Sequence, residues 1–328
     1  MAGIELLPKS VVDEAAAATS RCALITGGNK GIGYGIARRL SRIFKGTVYL
    51  TARNEARGRE AVQALARDDR VTEFLLLDVT DRASIERARD HIMEKHGGLD
   101  VLVNNAGVAG FDFHKANGLQ NHTLERMLDS AEPEAKKDVF SPEVVKEVIG
   151  TNFFGLLNVC EVFFPILRPH ARVVNFGSNL GTLRSLKLED VKKRLVSDDL
   201  TVEELKQIVL TYAKIAETKN PAELGYPAIM GPYAFSKICV VALTRVQQRV
   251  FDRDTARPDI VVNAVSPGFV ATEMTAYKGV RTIEEGAEGC VQLAVLPAAT
   301  GQNALDIPKG QFLRDGMPID WVGERDKF

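Results

Sequence analysis

Tyr233 and Lys237 are two residues whose types and spacing predict proton-transfer chemistry. They are four positions apart, so on a helix that begins near Pro232 the phenol and the ammonium lie on one face. A phenol is a weak acid, with an ordinary pKa near ~10. A neighbouring cation favours the phenolate and brings that pKa towards neutrality, as a proton-transfer catalyst requires. A Tyr-x-x-x-Lys pair is also common on solvated helices, so the other motifs of the chain must decide between a catalytic pair and a surface pair.

A glycine-rich turn at residues 26–33 (TGGNKGIG) follows a short apolar run and precedes a helical pattern. Gly27, Gly31 and Gly33 allow the backbone to turn tightly and to approach a pyrophosphate, which the N–H groups of the following helix can bind. The spacing is G-x-x-x-G-x-G, and not the commoner G-x-G-x-x-G. A turn without a ligand is the alternative, but the position between a strand and a helix favours dinucleotide binding.

The sequence indicates which dinucleotide this turn binds. Twenty residues after Gly33, where an NAD site has an acid for the ribose 2′-hydroxyl, the chain has Arg53. Arginine cannot accept a hydrogen bond from a hydroxyl, but it pairs with a 2′-phosphate. Lys30, inside the glycine loop, offers a second cation. Both can instead be solvated surface residues, but their two positions together favour NADP(H) over NAD(H).

Composition excludes several classes of protein. The chain has 328 residues, 45% of them hydrophobic, with 42 Lys plus Arg against 43 Asp plus Glu. A net charge of −1 gives no general attraction to nucleic acid or to an anionic membrane, and no run approaches the ~18 apolar residues of a membrane span. Four well-separated cysteines, at positions 22, 160, 239 and 290, indicate buried reduced thiols and no metal site. Residues 1–20 resemble no signal peptide, so we expect a mobile tail on a cytoplasmic protein.

Strand-like and helical patterns alternate from Arg21 onward. Strands are predicted at residues 22–26, 47–51, 73–77, 101–104, 172–176 and 260–265. A helix is predicted over residues 81–96, with Asp81 as its N-cap and Gly97 as its stop. Such alternation predicts an α/β fold of the Rossmann type, with a doubly wound parallel sheet. Because no linker divides the chain, residues 21–328 are predicted to form a single domain.

Two long stretches, residues 108–150 and 179–231, exceed what a minimal unit of this kind needs. The second contains a capping box at residues 201–204 (TVEE), followed by an apolar stripe at helical spacing. The stripe consists of Leu205, Ile208, Val209, Tyr212 and Ile215. The pattern predicts a helical insertion that packs on the body of the domain ahead of Tyr233. A helix that binds a partner is the alternative.

Four motifs in this order resemble the classical short-chain dehydrogenases/reductases. They are residues 26–33 (TGGNKGIG), residues 104–107 (NNAG), Tyr233 with Lys237, and Pro267 with Gly268. A closer resemblance, to the monomeric NADPH-dependent carbonyl reductases, depends on five segments. These are residues 27–33 (GGNKGIG), 50–53 (LTAR), 98–107 (GLDVLVNNAG), 151–155 (TNFFG) and 284–288 (EEGAE). The resemblance extends from about Arg21 to Trp321.

The resemblance implies the catalytic residues Asn152, Ser178, Tyr233 and Lys237. Ser178 and Tyr233 would bind the substrate oxygen, and Tyr233 would donate the proton. Lys237 would lower the pKa of the phenol and grip the nicotinamide ribose, while Asn152 and a water would resupply the proton. NADPH would deliver the hydride.

The resemblance also implies a set of cofactor contacts. Asp78 would meet the adenine ring, residues 105–107 would line the adenosine ribose, and Val270 and Thr272 would hold the nicotinamide carboxamide. The full predicted set is Gly27, Asn29, Lys30, Gly31, Ile32, Gly33, Arg53, Asp78, Val79, Asn105, Ala106, Gly107, Tyr233, Lys237, Pro267, Gly268, Val270 and Thr272.

The sequence therefore predicts a monomeric NADPH-dependent reductase of aldehydes, ketones or quinones. A narrower ketone reductase, with a terpenoid, alkaloid or steroid substrate, is the first alternative. A regulator that senses NADP(H) without turnover is the second, although intact Ser178, Tyr233 and Lys237 disfavour it. Gly177 stands where related enzymes often have a second serine, so the substrate contacts there are open.

Overall fold

A computed structural model describes residues 21–66, 72–113, 140–299 and 305–323 of this protein. The predicted mobile tail, residues 1–20, lies outside the described residues, as do residues 114–139 of the first long stretch. The assignment of residues 21–328 to a single domain therefore stays a prediction.

Within the described residues, eight strands form one sheet in the order β3-β2-β1-β4-β5-β6-β7-β8. The strands are β1 (Cys22–Ile25), β2 (Thr47–Ala52), β3 (Thr72–Leu76), β4 (Leu99–Asn104), β5 (Leu167–Phe176), β6 (Val261–Val265), β7 (Phe312–Arg314) and β8 (Met317–Pro318). All neighbours are parallel except β7 and β8. This strand order is that of a Rossmann fold, so the predicted fold class is confirmed.

The helices lie on both faces of the sheet. They are α1 (Gly31–Ile43), α2 (Glu55–Ala66), α3 (Arg82–His96), α4 (Pro142–Ile149), α5 (Leu156–Phe163), α6 (Glu189–Val196), α7 (Val202–Ala216), α8 (Gly231–Phe251) and α9 (Ile283–Ala294). One apolar core lies between the sheet and helices α1, α2 and α9, and a second lies between the sheet and helices α3, α4, α5 and α8. A parallel sheet buried on both faces explains why its central strands are continuous apolar runs.

The six predicted strands are confirmed, and the sequence reasoning missed two. The last two strands, β7 and β8, are three and two residues long and form a hairpin around Asp315 and Gly316. Both turn residues have positive φ, 51° and 77°. Asp-Gly is the typical sequence of such a two-residue turn, so this dipeptide is the signal that could have identified the hairpin.

Helix α3 begins and ends where the sequence predicts. The carboxylate of Asp81 accepts a hydrogen bond from the backbone N–H of Ala83, at 3.0 Å. Gly97 follows the helix with φ 69°, the left-handed conformation that a glycine C-cap favours. The residues at the two ends, Asp81 and Gly97, therefore set both boundaries of this helix.

The insertion before Tyr233 is helical and packs on the body, as predicted. Thr201 Oγ1 accepts a hydrogen bond from Glu204 N–H, and Glu204 Oε2 accepts one from Thr201 N–H, so the capping box is formed. The stripe on α7 faces the core: Leu205, Val209 and Tyr212 are buried, and the two isoleucines of the stripe are partly buried against the same cluster. Helix α7 packs on α4 and α8. The alternative of an unpartnered docking helix is not supported.

A continuous helical run, Pro142–Ile166, is long and apolar enough to cross a membrane by length and composition alone. Its most apolar window has a mean hydropathy of 1.4, but 67% of that window is buried inside the protein. Such burial is typical of a core helix. All four cysteines are also buried and unpaired, as predicted.

We expect Leu205→Ala, in α7, to destabilise the protein by about 2–5 kcal/mol, because it removes a fully buried side chain and leaves a cavity. Leu210→Ala, on the outer face of the same helix, is the matched control. Leu210 is 46% exposed, so its truncation should change the free energy of unfolding by no more than about 0.5 kcal/mol. Urea unfolding measures both values. Equal effects of the two changes would contradict the packing of α7 described above.

Candidate active site

The carboxyl ends of β1 and β4 are joined by a small hydrogen-bonded group around Thr26. Its hydroxyl accepts hydrogen bonds from the backbone N–H groups of Asn105 and Ala106, both at 3.0 Å. The side-chain amide of Asn105 donates to the carbonyls of Thr26 and Gly27, at 2.9 and 3.0 Å. The strand order reverses between β1 and β4, which is where an open α/β sheet forms its ligand crevice. The predicted residues Asn105, Ala106 and Gly107 therefore line this crevice beside the glycine loop.

The glycine loop has the conformation that a phosphate-binding turn requires. Gly27 and Gly31 have positive φ, 64° and 55°. A Cβ at Gly33 would lie 2.4 Å from the carbonyl oxygen of Gly27 and 2.5 Å from Asn105 Nδ2, so only glycine fits. These residues fit a dinucleotide, because the loop presents bare backbone at the N-terminus of α1. The two neighbours predicted in the same loop, Asn29 and Ile32, are half-buried.

The loop after β6 meets the glycine loop. A Cβ at Gly31 would lie 3.5 Å from the methyl group of Thr272. The next residue, Glu273, forms an ion pair with Lys30, with Nζ 2.7 Å from Oε2 and both side chains more than half exposed. In the structure Lys30 therefore has a carboxylate partner, which the sequence reasoning did not foresee. An exposed pair of this kind contributes little to stability, so it does not bar Lys30 from a phosphate.

Arg53 lies at the end of β2, where the sequence argument requires a cation. Its side chain is exposed and makes no hydrogen bond or ion pair with the described part of the chain. Arg57, four positions later in the first turn of α2, is exposed as well, and its backbone N–H donates to Asn54 Oδ1 at 3.0 Å. The sequence reasoning missed Arg57, although its spacing from Arg53 was a readable signal.

Asp78, which was predicted to meet the adenine ring, and Val79, a further predicted cofactor contact, follow β3. Asp78 Oδ1 accepts hydrogen bonds from the N–H and the hydroxyl of Thr80, at 2.9 and 2.7 Å. Val79 is buried, and a Cβ at Gly155 would lie 2.8 Å from its methyl carbon. Asp78 is thus held by its own turn at the edge of the crevice.

The segment after β6 turns sharply at Pro267 and Gly268. Gly268 has φ 75°, and Ser266 Oγ donates to Asn179 Oδ1 at 2.7 Å. Val270 is buried and forms an isolated parallel bridge with Arg281. These contacts fix the segment in front of the crevice, where Val270 and Thr272 were predicted to contact a nicotinamide.

Tyr233 and Ser178 are brought together by two elements that are far apart in sequence. Ser178 follows β5, and Tyr233 lies in the first turn of α8, which begins at Gly231. The Ser178 hydroxyl lies beside the Tyr233 phenol and acts to lower the pKa of that phenol. The predicted helix start near Pro232 is confirmed. The two hydroxyl groups can therefore bind one oxygen atom together.

The expected pKa shift of Tyr233 requires a correction. Burial raises the pKa of the phenol above its ordinary value, and this effect exceeds the opposing effect of the Ser178 hydroxyl. The Lys237 ammonium does not contact the phenolic oxygen. It lies 5.6 Å from the centroid of the Tyr233 ring and donates instead to the carbonyl of Phe176, at 2.7 Å. A raised pKa keeps Tyr233 protonated at neutral pH, which is the form that a proton donor needs.

Lys237 is buried in the middle of this group, with 5% of its surface exposed. Burial lowers the pKa of its ammonium to about 8, because transfer from water disfavours the charged form. Its charge state therefore changes close to the physiological pH range.

Asn152 holds the loop after β4 against α8. It lies in a π-helical turn, Gly150–Gly155, between α4 and α5. Its Oδ1 accepts from the N–H of Val108 at 2.8 Å, and its Nδ2 donates to the Val108 carbonyl at 2.9 Å and to Ser236 Oγ at 3.1 Å. Both amide hydrogens are thus used within the protein, and Oδ1 keeps one lone pair for a further donor.

Two glycines explain how closely these elements approach. A Cβ at Gly181 would lie 2.8 Å from the carbonyl carbon of Lys237, so the turn after Ser178 packs directly on the α8 backbone. A Cβ at Gly177 would lie 2.7 Å from the ring of Phe312. Phe312 thus occupies the space that a serine would need at position 177, and this accounts for one departure from the family pattern. The sequence reasoning did not foresee the role of Gly181, and no local pattern indicates it.

Tyr233 packs against a small apolar cluster. Its members come from the segments after β4, β5 and β6 and from the residues before α8: Ala109, Phe111, Phe113, Leu180, Ile229, Met230, Phe269 and Ala276. Phe111 and Phe113 pack edge to face, with ring centroids 5.0 Å apart. The Lys278 ammonium donates to the carbonyl of Phe113 at 2.7 Å, which joins two of these segments.

Comparison with known proteins agrees with this geometry. The family model for short chain dehydrogenases matches residues 21–188. Carbonyl reductase (NADPH) 3 of Mus musculus is 38% identical over 304 residues, which are 92% of this chain and 99% of that protein. Carbonyl reductase (NADPH) 1 of Bos taurus is 38% identical over 309 residues, with the same coverage of each chain.

Two solved structures are also similar. Salutaridine reductase of Papaver somniferum superposes with a TM-score of 0.77 at 34% identity, covering 90% of this chain and 99% of that one. Menthone neomenthol reductase of Mentha piperita superposes with a TM-score of 0.73 at 30% identity, with the same coverage. The match to the family model and the identity over nearly the whole chain establish that this protein belongs to the short-chain dehydrogenase family.

Proposed function

We propose that this protein is an NADPH-dependent reductase that converts aldehydes, ketones or quinones to alcohols, with Tyr233 as the proton donor. The observation that carries the proposal is the close approach of Ser178 to Tyr233, with Lys237 buried beside them at the carboxyl edge of the sheet. The full coverage of two carbonyl reductases whose names specify NADPH supports the reaction class and the cofactor.

The chain would hold NADPH along the crevice described above. The glycine loop and the N-terminus of α1 would bind the pyrophosphate, and Arg53 would pair with the 2′-phosphate. Asp78 would bind at the adenine end, and Val270 with Thr272 would bind at the nicotinamide end. NADPH supplies the hydride that reduces the carbonyl carbon.

The side chains of the site then bind and protonate the oxygen of the substrate. Ser178 and Tyr233 donate hydrogen bonds to this oxygen, and these bonds strengthen as negative charge develops on it. Tyr233 transfers its proton to the oxygen, and its raised pKa keeps that proton available beforehand. Lys237 lies one turn away on α8 and stabilises the phenolate that results. Asn152 fixes the adjacent loop and, through its spare lone pair, can hold a water that returns a proton.

A narrower ketone reductase is the second candidate, and one observation favours it. Tyr233 packs against an apolar cluster of aromatic and aliphatic side chains, which suits a carbon skeleton of substantial size. Two structural relatives are named for reduction of the plant metabolites salutaridine and menthone. A regulator that only senses NADP(H) ranks below both, since it has no need of the complete Ser178, Tyr233 and Lys237 group.

We further propose that the enzyme is a monomer in the cytoplasm. The insertion carrying α6 and α7 packs on α8, so the outer face of α8 is covered within the chain. Light scattering of the dilute protein should give the mass of one chain. A stable tetramer would contradict this proposal.

Tyr233→Phe should reduce kcat by about 10²–10⁴-fold, because it removes the proton donor but keeps the ring. NADPH oxidation by the wild type and the variant would be followed with a panel of aldehydes, α-dicarbonyls, quinones and cyclic ketones. NADPH binding, measured by fluorescence, should be retained in the variant. If the wild type reduced no member of the panel, the reductase proposal would be overturned. If it reduced one ketone alone, the narrower candidate would be favoured.

Arg53→Asp should weaken NADPH binding by about tenfold to a hundredfold relative to NADH, because a charge-assisted hydrogen bond is lost and a like charge is added. Arg59→Asp is the control, since Arg59 is an exposed cation of α2 that pairs with Glu55. Dissociation constants for both cofactors give the ratio. If Arg53→Asp left the ratio of the NADPH and NADH dissociation constants unchanged, the proposed pairing of Arg53 with the 2′-phosphate would be wrong.

Carbonyl reduction should slow as pH rises above about 8, because the Lys237 ammonium loses its proton there. The raised pKa of Tyr233 keeps the phenol protonated over the same range, so the decline reports Lys237. The test is kcat/KM between pH 6 and about 10, and in Lys237→Met the remaining rate should lack this decline. If kcat/KM of the wild type stayed constant to about pH 9.5, the requirement for a protonated Lys237 would be contradicted.

A further inference from the structure

A second cleft lies behind the N-terminus of α8. It is bounded by the start of α4, the end of α7 and the first residues of α8, and its volume is about 240 Å³. None of the residues assigned above to the cofactor or to the reaction lines it. Its role is therefore not explained by the proposed reaction.

One buried polar group points into this cleft. Tyr212 is 1% exposed, and its ring packs against Phe235 and Tyr226, with centroids 4.4 and 4.9 Å away. Tyr212 lines the cleft, and its hydroxyl makes no hydrogen bond with any residue that the structure describes. Burial raises the pKa of this phenol, so the hydroxyl stays protonated and remains a donor. This hydroxyl lies at the wall of the cleft, where an oxygen atom of a ligand can accept its hydrogen bond.

The N-terminus of α8 favours the same kind of acceptor. Gly231 and Pro232 line the cleft. The helix has no side-chain cap and no acidic residue in its first turn, so its end keeps a positive partial charge. A Cβ at Gly231 would lie 3.6 Å from Tyr212 Oη. The helix end and the free hydroxyl therefore share one corner of the cleft.

The remaining walls define the rest of the ligand. Phe140, Val145 and Pro227 make the interior largely apolar. The charged residues of the lining, Glu217 and Lys219, are exposed and opposite in sign, so they favour neither an anion nor a cation. A cavity of about 150 Å³ holds benzene, and this cleft is somewhat larger. A single ring with one polar substituent fits it.

We propose that this cleft is a second binding site, which takes a neutral monocyclic molecule with one hydroxyl or carbonyl oxygen. The oxygen accepts a hydrogen bond from Tyr212 at the N-terminus of α8, and the ring lies against the apolar walls. The site does not depend on the proposed reductase function.

The test uses p-cresol as the probe, with toluene as the same ring without the oxygen. Binding to the full chain with saturating NADP+ would be measured by ligand-observed NMR. Tyr212→Phe should weaken p-cresol binding about threefold to tenfold and leave toluene binding unchanged, because only the hydrogen bond is removed. Tyr226→Phe is the matched control. Tyr226 is a buried tyrosine of the same aromatic group that does not line the cleft, so this change should alter neither affinity.

A second variant tests the location without touching Tyr212. Ala222 lines the cleft and is only partly buried, so Ala222→Phe should fill the space and abolish binding of both probes. Unchanged p-cresol affinity in Tyr212→Phe and in Ala222→Phe would overturn the proposal. So would binding that is lost in Tyr233→Phe and kept in Tyr212→Phe, because it would place p-cresol at the active site.

Discussion

The attachment of α8 to the central sheet is the interaction on which the site depends. Asn175 of β5 is fully buried, and its amide donates to Thr244 Oγ1 and Gln247 Oε1 of α8, both at 2.9 Å. It also accepts a hydrogen bond from Asn104 of β4, at 2.8 Å. Hydrogen bonds are directional, so this network restricts how the helix can lie on the sheet. Tyr233 and Ser178 face each other as a result.

The same helix explains the insertion before it. Most residues of α8 are buried, including Phe235, Ile238 and Val241, so the helix buries side chains on more than one face. A helix of this kind must be covered on more than one side. The sheet covers one face, and α7 covers another. The long sequence between Ser178 and Tyr233 thus supplies helices that cover part of α8 within the same chain.

The proposed catalytic residues make contacts that the motif alone does not indicate. Burial keeps Tyr233 protonated, and the Ser178 hydroxyl lies beside its phenol. Lys237 gives its hydrogen bond to Phe176, at the end of β5, and so joins the helix to the strand that carries Ser178. Burial affects both ionisable groups but in opposite directions, since each shift favours the neutral form. The Tyr233 phenol and the Lys237 ammonium therefore lose their protons over different pH ranges.

The sequence by itself determined the fold class, the strands from β1 to β6, the boundaries of α3 and the identity of the family. These features follow from local chemistry: apolar runs, capping side chains, glycines with positive φ and motifs of fixed spacing. It also placed Arg53 and the glycine loop correctly relative to the first strands, because a βαβ unit is a local structure.

Only the tertiary structure decided which groups touch. The ion pair of Lys30 with Glu273, the contact of Gly181 with the α8 backbone and the position of Phe312 behind Gly177 all join residues that are distant in sequence. The direction of the pKa shift of Tyr233 also depends on the tertiary structure, because the burial that causes it arises from packing and not from the spacing of residues in the sequence. A sequence shows which residues are available for chemistry. Close contacts and loss of water arise when strands and helices pack, and these set the partner and the charge state of each residue.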